Sequence, residues 1–131
     1  MTRAADAFPA AGLAPATDAP ARGSYYRWLF FGAGGFEPAF ADRMFQRPDV
    51  PNKGALGWGS FADVLALLKQ ALTPGPYLLG TQFSAADIYI GSLLGFAMQF
   101  GADEVKAEPV LAGYVGRVTD RPAYARIQAE A

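Results

Sequence analysis

The chain of 131 residues contains no cysteine and no histidine. Without cysteine there is no disulfide, no Cys-ligated zinc and no thiol nucleophile. Without histidine, the commonest general base and the commonest metal ligand are both missing. Charge is also sparse, at 18% of residues with a net charge of −1, which leaves no electrostatic footprint for nucleic acid or an anionic membrane. Met1 to Ala21 lacks the continuous apolar core of a signal peptide, although alanine is frequent there. No segment alternates with period two for long enough to read as a strand. The expectation is a cytoplasmic all-α protein with no metal site, no nucleic-acid partner and no membrane partner.

What is present is apolar and patterned. A hydrophobic share of 52% argues against disorder, and the length suits one domain with a proper core. The organising stretch is Phe83 to Phe100, FSAADIYIGSLLGFAMQF. Ser84 and Asp87 stand three apart before an apolar run, the spacing of a capping box, in which the carboxylate reaches back to the N–H of Ser84. Phe83 and Ile88 occupy the two positions of a hydrophobic staple. After Asp87 only Ser92 and Gln99 are polar, apart from the phenol of Tyr89, and a helix apolar nearly all round is a buried one. Its sixteen residues reach roughly 24 Å, short of the ~20 apolar residues of a membrane span. As chemistry, Ser84 beside Asp87 suggests an activated hydroxyl, but no base is at hand. The cap is the better reading.

Around this element the chain parses into about five helices. Residues 1–19 read as a proline- and alanine-rich connector whose first few residues suit a helix, and residues 20–131 as the helical domain. From Pro20, the residues Tyr25, Tyr26, Leu29 and Phe30 fall at helical spacing, with Trp28 and Phe31 widening the stripe. Gly32-Ala-Gly-Gly and Pro38, whose ring would meet the carbonyl of Gly34, predict a kink or break over residues 32–37, with helix resuming to Phe45. Arg47 to Lys53 reads as a loop. A second helix has Phe61, Val64, Leu65, Leu68 and Leu72 as its face and stops at Thr73-Pro-Gly-Pro. After the central helix, Pro109 opens another with Leu111, Tyr114, Val115 and Val118 inward. Pro122 opens the last.

Pro76 to Asp87, PYLLGTQFSAAD, with the helix after it, resembles the C-terminal all-helical domain of the glutathione transferases. There a loop of the form Pro-Tyr-Leu-x-Gly-x-x-Phe-Ser/Thr-x-Ala-Asp leads into a capped, buried helix. RWLFF at Arg27, GWGSF at Gly57 and RPAYAR at Arg121 extend the resemblance from about residue 4 to the end. It implies that Phe30, Gly34 and Glu37 face the cleft where the electrophile binds, with Phe96 beside them. It implies glutathione as co-substrate, with no cofactor held by this chain itself. In the family, glutathione is bound and its thiol ionised by a thioredoxin-like domain, which is not in this sequence. AADAFPAAGLAP looks like the tail of that domain. The chain alone is therefore expected to be inactive. Implied partners are a second copy, a thioredoxin-like domain or chain, and an apolar small molecule.

Two other features stay open on the residues alone. The aromatics Tyr25, Tyr26, Trp28, Phe30, Phe31 and Phe36 exceed what one buried face needs. They are either core plus packing surface, or they line an apolar cleft or a subunit contact. Self-association would then run through Trp28, Phe31, Phe36 and Phe40. Neither Gly32-Ala-Gly-Gly nor Gly54-x-x-Gly57-x-Gly59 matches a phosphate loop, and close helix packing is the expectation. Arg43, Arg47, Lys53, Lys69, Arg117 and Arg126 are scattered and read as solvated surface. A free-standing helical interaction or ligand-binding module without catalysis is the alternative to the transferase domain.

Overall fold

A computed structural model describes residues 2–48 and 50–130, with the side chain of Lys53 outside the description. The α-helices are α1 (Thr2–Ala7), α2 (Ala21–Phe31), α3 (Glu37–Phe45), α4 (Phe61–Leu72), α5 (Ala85–Gln99), α6 (Asp103–Ala107), α7 (Pro109–Thr119) and α8 (Pro122–Glu130). Among the described residues there is no strand, only isolated bridges Tyr77–Gly80 and Leu79–Gln82 in the turn before α5. The five expected helices are present. Two short ones accompany them, α1 ahead of α2 and α6 between α5 and α7, and the first long one is divided.

That division falls where the glycines and Pro38 predict a kink or break, and it takes the form of a kink-type turn with no break in the helical path. Gly32 to Phe36 forms a π-helical turn joining α2 to α3, with backbone angles in the right-handed region throughout the flanks. The N–H of Glu37 donates to the carbonyl of Gly32, five residues back. Pro38 has no N–H to give Gly34, and its ring would press on that carbonyl in an α-helix. One widened turn removes both conflicts, and the helix continues. The buried face runs along both sides of the turn. Arg22, Tyr25, Trp28, Gly32, Gly35, Phe36, Ala39 and Phe40 point inward, whereas Tyr26 and Phe30 do not. Of the expected stripe, Tyr25 is buried and Leu29 is half-buried against the core, whereas Tyr26 and Phe30 face outward.

Inside, α5 lies against α2, the π turn, α6 and α7. Ile90, Leu94 and Ala97 of α5 are fully buried, as are Leu68 of α4 and Tyr114 of α7. Burying a Leu- or Ile-sized side chain is worth about 1.5–3 kcal/mol, so these facing residues dominate the bundle's cohesion. The inner faces expected for α4 and α7 are the buried ones. Gly91 lets α7 come close, because a Cβ there would stand 2.8 Å from Val118. At its far end α5 stops at Gly101 (φ +84°), and the N–H of Ala102 returns to the carbonyl of Ala97 at 2.9 Å. That 6→1 bond is a Schellman stop, for which glycine is suited by its left-handed conformation.

The segment before α2 is tied to the bundle by a buried arginine. Arg22 donates to Asp6 Oδ1 and Oδ2 at 2.6 and 2.7 Å, to the carbonyl of Pro15 at 2.6 Å and to the hydroxyl of Tyr26 at 2.9 Å. The N–H of Ala85, in the first turn of α5, donates to the carbonyl of Leu13 at 2.7 Å.

Candidate functional site

Two polar constellations involve α5. The inner one is centred on Asp87, which is fully buried. Its Oδ2 accepts from the backbone N–H of Ser84 at 2.8 Å and from the Ser84 hydroxyl at 3.2 Å. Its Oδ1 accepts from the N–H of Leu78 at 2.9 Å and from the hydroxyl of Tyr114 at 2.9 Å. Ser84 and Asp87 are placed as a capping box. By strict hydrogen-bond geometry, however, the N–H of Asp87 goes to the Ser84 carbonyl, at 3.0 Å, and the hydroxyl donates to the carboxylate. With every donor on it serving the fold, this carboxylate has no opening to a substrate. Phe83 is half-buried, its ring edge-on to Tyr77, with the guanidinium of Arg121 3.6 Å from its centre. Ile88 is also half-buried.

The outer constellation lies where the α2–α3 helix meets the exposed side of α5. Phe30 is 76% exposed, Gly34 and Glu37 are exposed on the next turns, and a Cβ at Gly34 would meet nothing within 4 Å. From α5, the phenol of Tyr89 donates to Glu37 Oε1. Phe96, 48% exposed, is seven residues further along α5. Its ring is edge-on to Phe40, one turn after Glu37, at 6.2 Å, and close to Phe100 at 4.3 Å. Phe30, Gly34 and Glu37 thus follow one another on one helix, and Phe96 joins them through Phe40. Sequence reasoning does not single out Tyr89. Its one signal there is a lone phenol in an otherwise apolar helix.

Burial and the Glu37 carboxylate push the Tyr89 phenol up to about 12, burial being the larger cause. The phenol is therefore a hydrogen-bond donor across the neutral range. Burial, followed by the charge and hydrogen bond of Asp87, raises Tyr114 further.

The aromatics expected to drive self-association are mostly inside. Trp28, Phe36 and Phe40 are buried and Phe31 is half-buried. Phe30, Phe45, Phe96 and Phe100 are exposed instead. The scattered cations are not simply solvated either. Arg43 pairs with Glu104 at 2.5 Å and donates to the carbonyl of Gly101, Arg47 pairs with Asp42, and Lys69 pairs with Glu108. Asp42 also accepts from the indole N–H of Trp58 at 2.8 Å, which, ahead of Arg47, holds its carboxyl below the usual range. These pairs fasten the segment before α4, and α6 and α7, to their neighbours. The start of α4 has a second capping box, Ser60 with Asp63, that the same Ser-x-x-Asp spacing announces.

Two open cavities of about 490 and 480 Å³ flank Phe61 and Arg43, one against Arg47 and Pro51, the other against Lys69 and Leu111. Neither is lined by Phe30, Gly34, Glu37 or Phe96. Among the described residues no group of three His, Cys, Asp or Glu could hold a metal, and no helix is long and apolar enough to cross a membrane.

A buried, carboxylate-anchored helix inside an all-α bundle defines the class of this domain as all-helical. The family model described as "Glutathione S-transferase, C-terminal domain" matches residues 10–129, and the chain belongs to that family. Its fold is similar to that of BphK, a bacterial glutathione transferase solved as a ternary complex (31% identity, TM-score 0.80). It is likewise similar to a sphingomonad glutathione S-transferase complexed with glutathione (34%, 0.77) and to a glutathione transferase from Methylococcus capsulatus strain Bath (29%, 0.79). Each alignment covers 98% of this chain, which spans 64% of the length of each of those three. A search among curated proteins gave no match.

Proposed function

We propose that this chain supplies the apolar, electrophile-side wall and part of the subunit contact of a glutathione transferase site. Glutathione would be bound, and its thiol ionised, by a thioredoxin-like domain or chain. The observation that supports this reading is the exposure of Phe30, Gly34 and Glu37 along one helix, with Glu37 bonded to Tyr89 of α5 and Phe96 of α5 packed on Phe40. The thiolate is the nucleophile in such a reaction, and this chain has neither Cys nor His with which to bind or activate it. Its contribution is to hold an apolar electrophile against rigid rings and exclude water from it. Gly34 leaves room for the substrate to approach the helix backbone.

Calorimetry of the 131-residue protein with glutathione is expected to show no saturable micromolar binding. Fusion behind the thioredoxin-like domain of one of the bacterial transferases above should conjugate a halonitroaromatic electrophile. In that fusion, Phe30→Ser and Phe96→Ser should raise KM for the electrophile while leaving KM for glutathione in place. Micromolar glutathione binding by the chain alone, or electrophile kinetics indifferent to both substitutions, would overturn the proposal. The second result would favour a free-standing interaction module.

A further inference from the structure

Glu37 is an exposed acidic side chain whose hydrogen-bond partner is a neutral donor. Asp6, Asp42, Asp103, Glu104 and Glu108 are each engaged in an ion pair. Glu37 has no ion pair among the described residues, and is oriented instead by the neutral phenol of Tyr89 through Oε1. Its Oε2 makes no hydrogen bond among the described residues. The seat for Tyr89 is built into the backbone. A Cβ at Gly32 would lie 2.3 Å from Tyr89 Cε1, so the ring occupies a notch that only glycine leaves. The π turn that starts at Gly32 delivers Glu37 to the phenol, and π turns inside α-helices occur frequently at functional sites. A carboxylate that is fixed in direction but not neutralised has its ordering cost largely met before a ligand arrives.

Resting on the wall reading above, we infer that the Tyr89–Glu37 pair is the specificity element of that face, selecting aromatic ligands that carry a cationic or hydrogen-bond-donating group and rejecting anionic ones. Phe96, whose ring meets Phe40 one turn after Glu37, offers the face for the aromatic body. Glu37 Oε2 accepts from the ligand's donor, while a ligand carboxylate in the same place meets like charge with no cation to relieve it. Such juxtaposition discriminates by repulsion as much as by attraction.

The test uses three probes with one aromatic body: naphthylmethylammonium, naphthylmethanol and naphthylacetate, each titrated into the 131-residue protein and followed by ligand-observed NMR. The expected order is ammonium tightest and acetate weakest, with about a five- to tenfold span at low salt, as suits one partly exposed charge. Glu37→Gln should compress the span to about twofold or less. Tyr89→Phe should keep the order but weaken the ammonium probe, because the carboxylate loses its fixed direction. Phe96→Ser should weaken all three alike. If the three bind with Phe96-dependent but equal affinity, the specificity role is wrong and the apolar wall stands. If none binds, the wall reading fails and this one with it. If Glu37→Gln lowers stability without altering the order, the pair is only a tie between α3 and α5, and the inference is overturned.

Discussion

The hydroxyl of Tyr114 on α7 donates to Oδ1 of Asp87 on α5 at 2.9 Å, and both side chains are fully buried. This bond joins the central helix to its main packing partner, while the other contacts of Asp87 hold Ser84 and Leu78. Removing the hydroxyl by Tyr114→Phe should cost about 1.5–3 kcal/mol, the range for a hydrogen bond to a charged group. Asp87→Ala should cost more. It strands the N–H groups of Leu78 and Ser84 and the phenol together, at about 1–3 kcal/mol for each unsatisfied group. Against a usual total of about 5–15 kcal/mol, that variant should be largely unfolded. Asp87→Asn, which keeps one acceptor oxygen, should fall between. Equilibrium urea unfolding gives the order. A Tyr114→Phe protein within about 0.5 kcal/mol of wild type, the range of ordinary surface changes, would show that the α5–α7 contact does not depend on this bond.

Titration of Tyr89 gives a second check. Its folded value of about 12 lies above the ordinary phenol value of 10.0, so the neutral form is the one the fold favours. The resulting stabilisation is fully present below about pH 10 and is lost as pH rises through the folded value. Ring-carbon NMR should show one tyrosine ionising near pH 12 that disappears in Tyr89→Phe. In Glu37→Gln the same resonance should move down only part of the way towards 10.0, since burial is the larger cause. A Tyr89 resonance titrating at its ordinary value in wild type would contradict the geometry.

The fold is legible in the sequence because its main signals are local. Ser84 with Asp87, the period of Phe61 to Leu72, Pro109 and Pro122 each mark an element without reference to anything distant. Ser60 with Asp63 is a signal of the same local kind. The face of the first helix is only partly legible, because Tyr25, Tyr26, Trp28, Leu29, Phe30 and Phe31 are all apolar or aromatic and spacing alone does not choose which of them turns inward. Arg22 is hidden for a different reason: a buried guanidinium is tolerated only where Asp6 and the carbonyl of Pro15 converge on it, and that convergence is tertiary. The pairing of Tyr89 with Glu37 spans 52 residues and likewise has no local trace.

Two glycines of the π turn should respond oppositely to alanine. At Gly32 the new methyl would collide with the ring of Tyr89, and overpacking of this kind costs about 1–3 kcal/mol. At Gly34 the methyl meets nothing within 4 Å, so the helical preference for alanine, about 0.5–1 kcal/mol, should stabilise the protein. Thermal unfolding of the two variants would decide it. Equal effects of one sign would mean that Tyr89 does not occupy the notch beside Gly32.

Exposed rings make the last prediction. Phe30 on α2 and Phe96 and Phe100 at the end of α5 are exposed, and contiguous apolar patches beyond a few hundred Å² are rare on soluble monomers. The protein should therefore self-associate at tens of micromolar in sedimentation equilibrium and bind a dye specific for exposed apolar surface. Phe30→Ser combined with Phe96→Ser should shift it towards monomer and remove the dye signal, with helical circular dichroism unchanged. Phe40→Ser is the contrast, because Phe40 is buried between Phe36 and Phe61. Truncating a core phenylalanine costs about 3–5 kcal/mol, so that variant should lose helicity and gain dye binding. A wild-type protein that sediments as a clean monomer at high concentration, without dye binding, would rule out the face as a subunit contact. It would leave the ligand-binding role of Phe30 and Phe96 to stand or fall on the probe titrations alone.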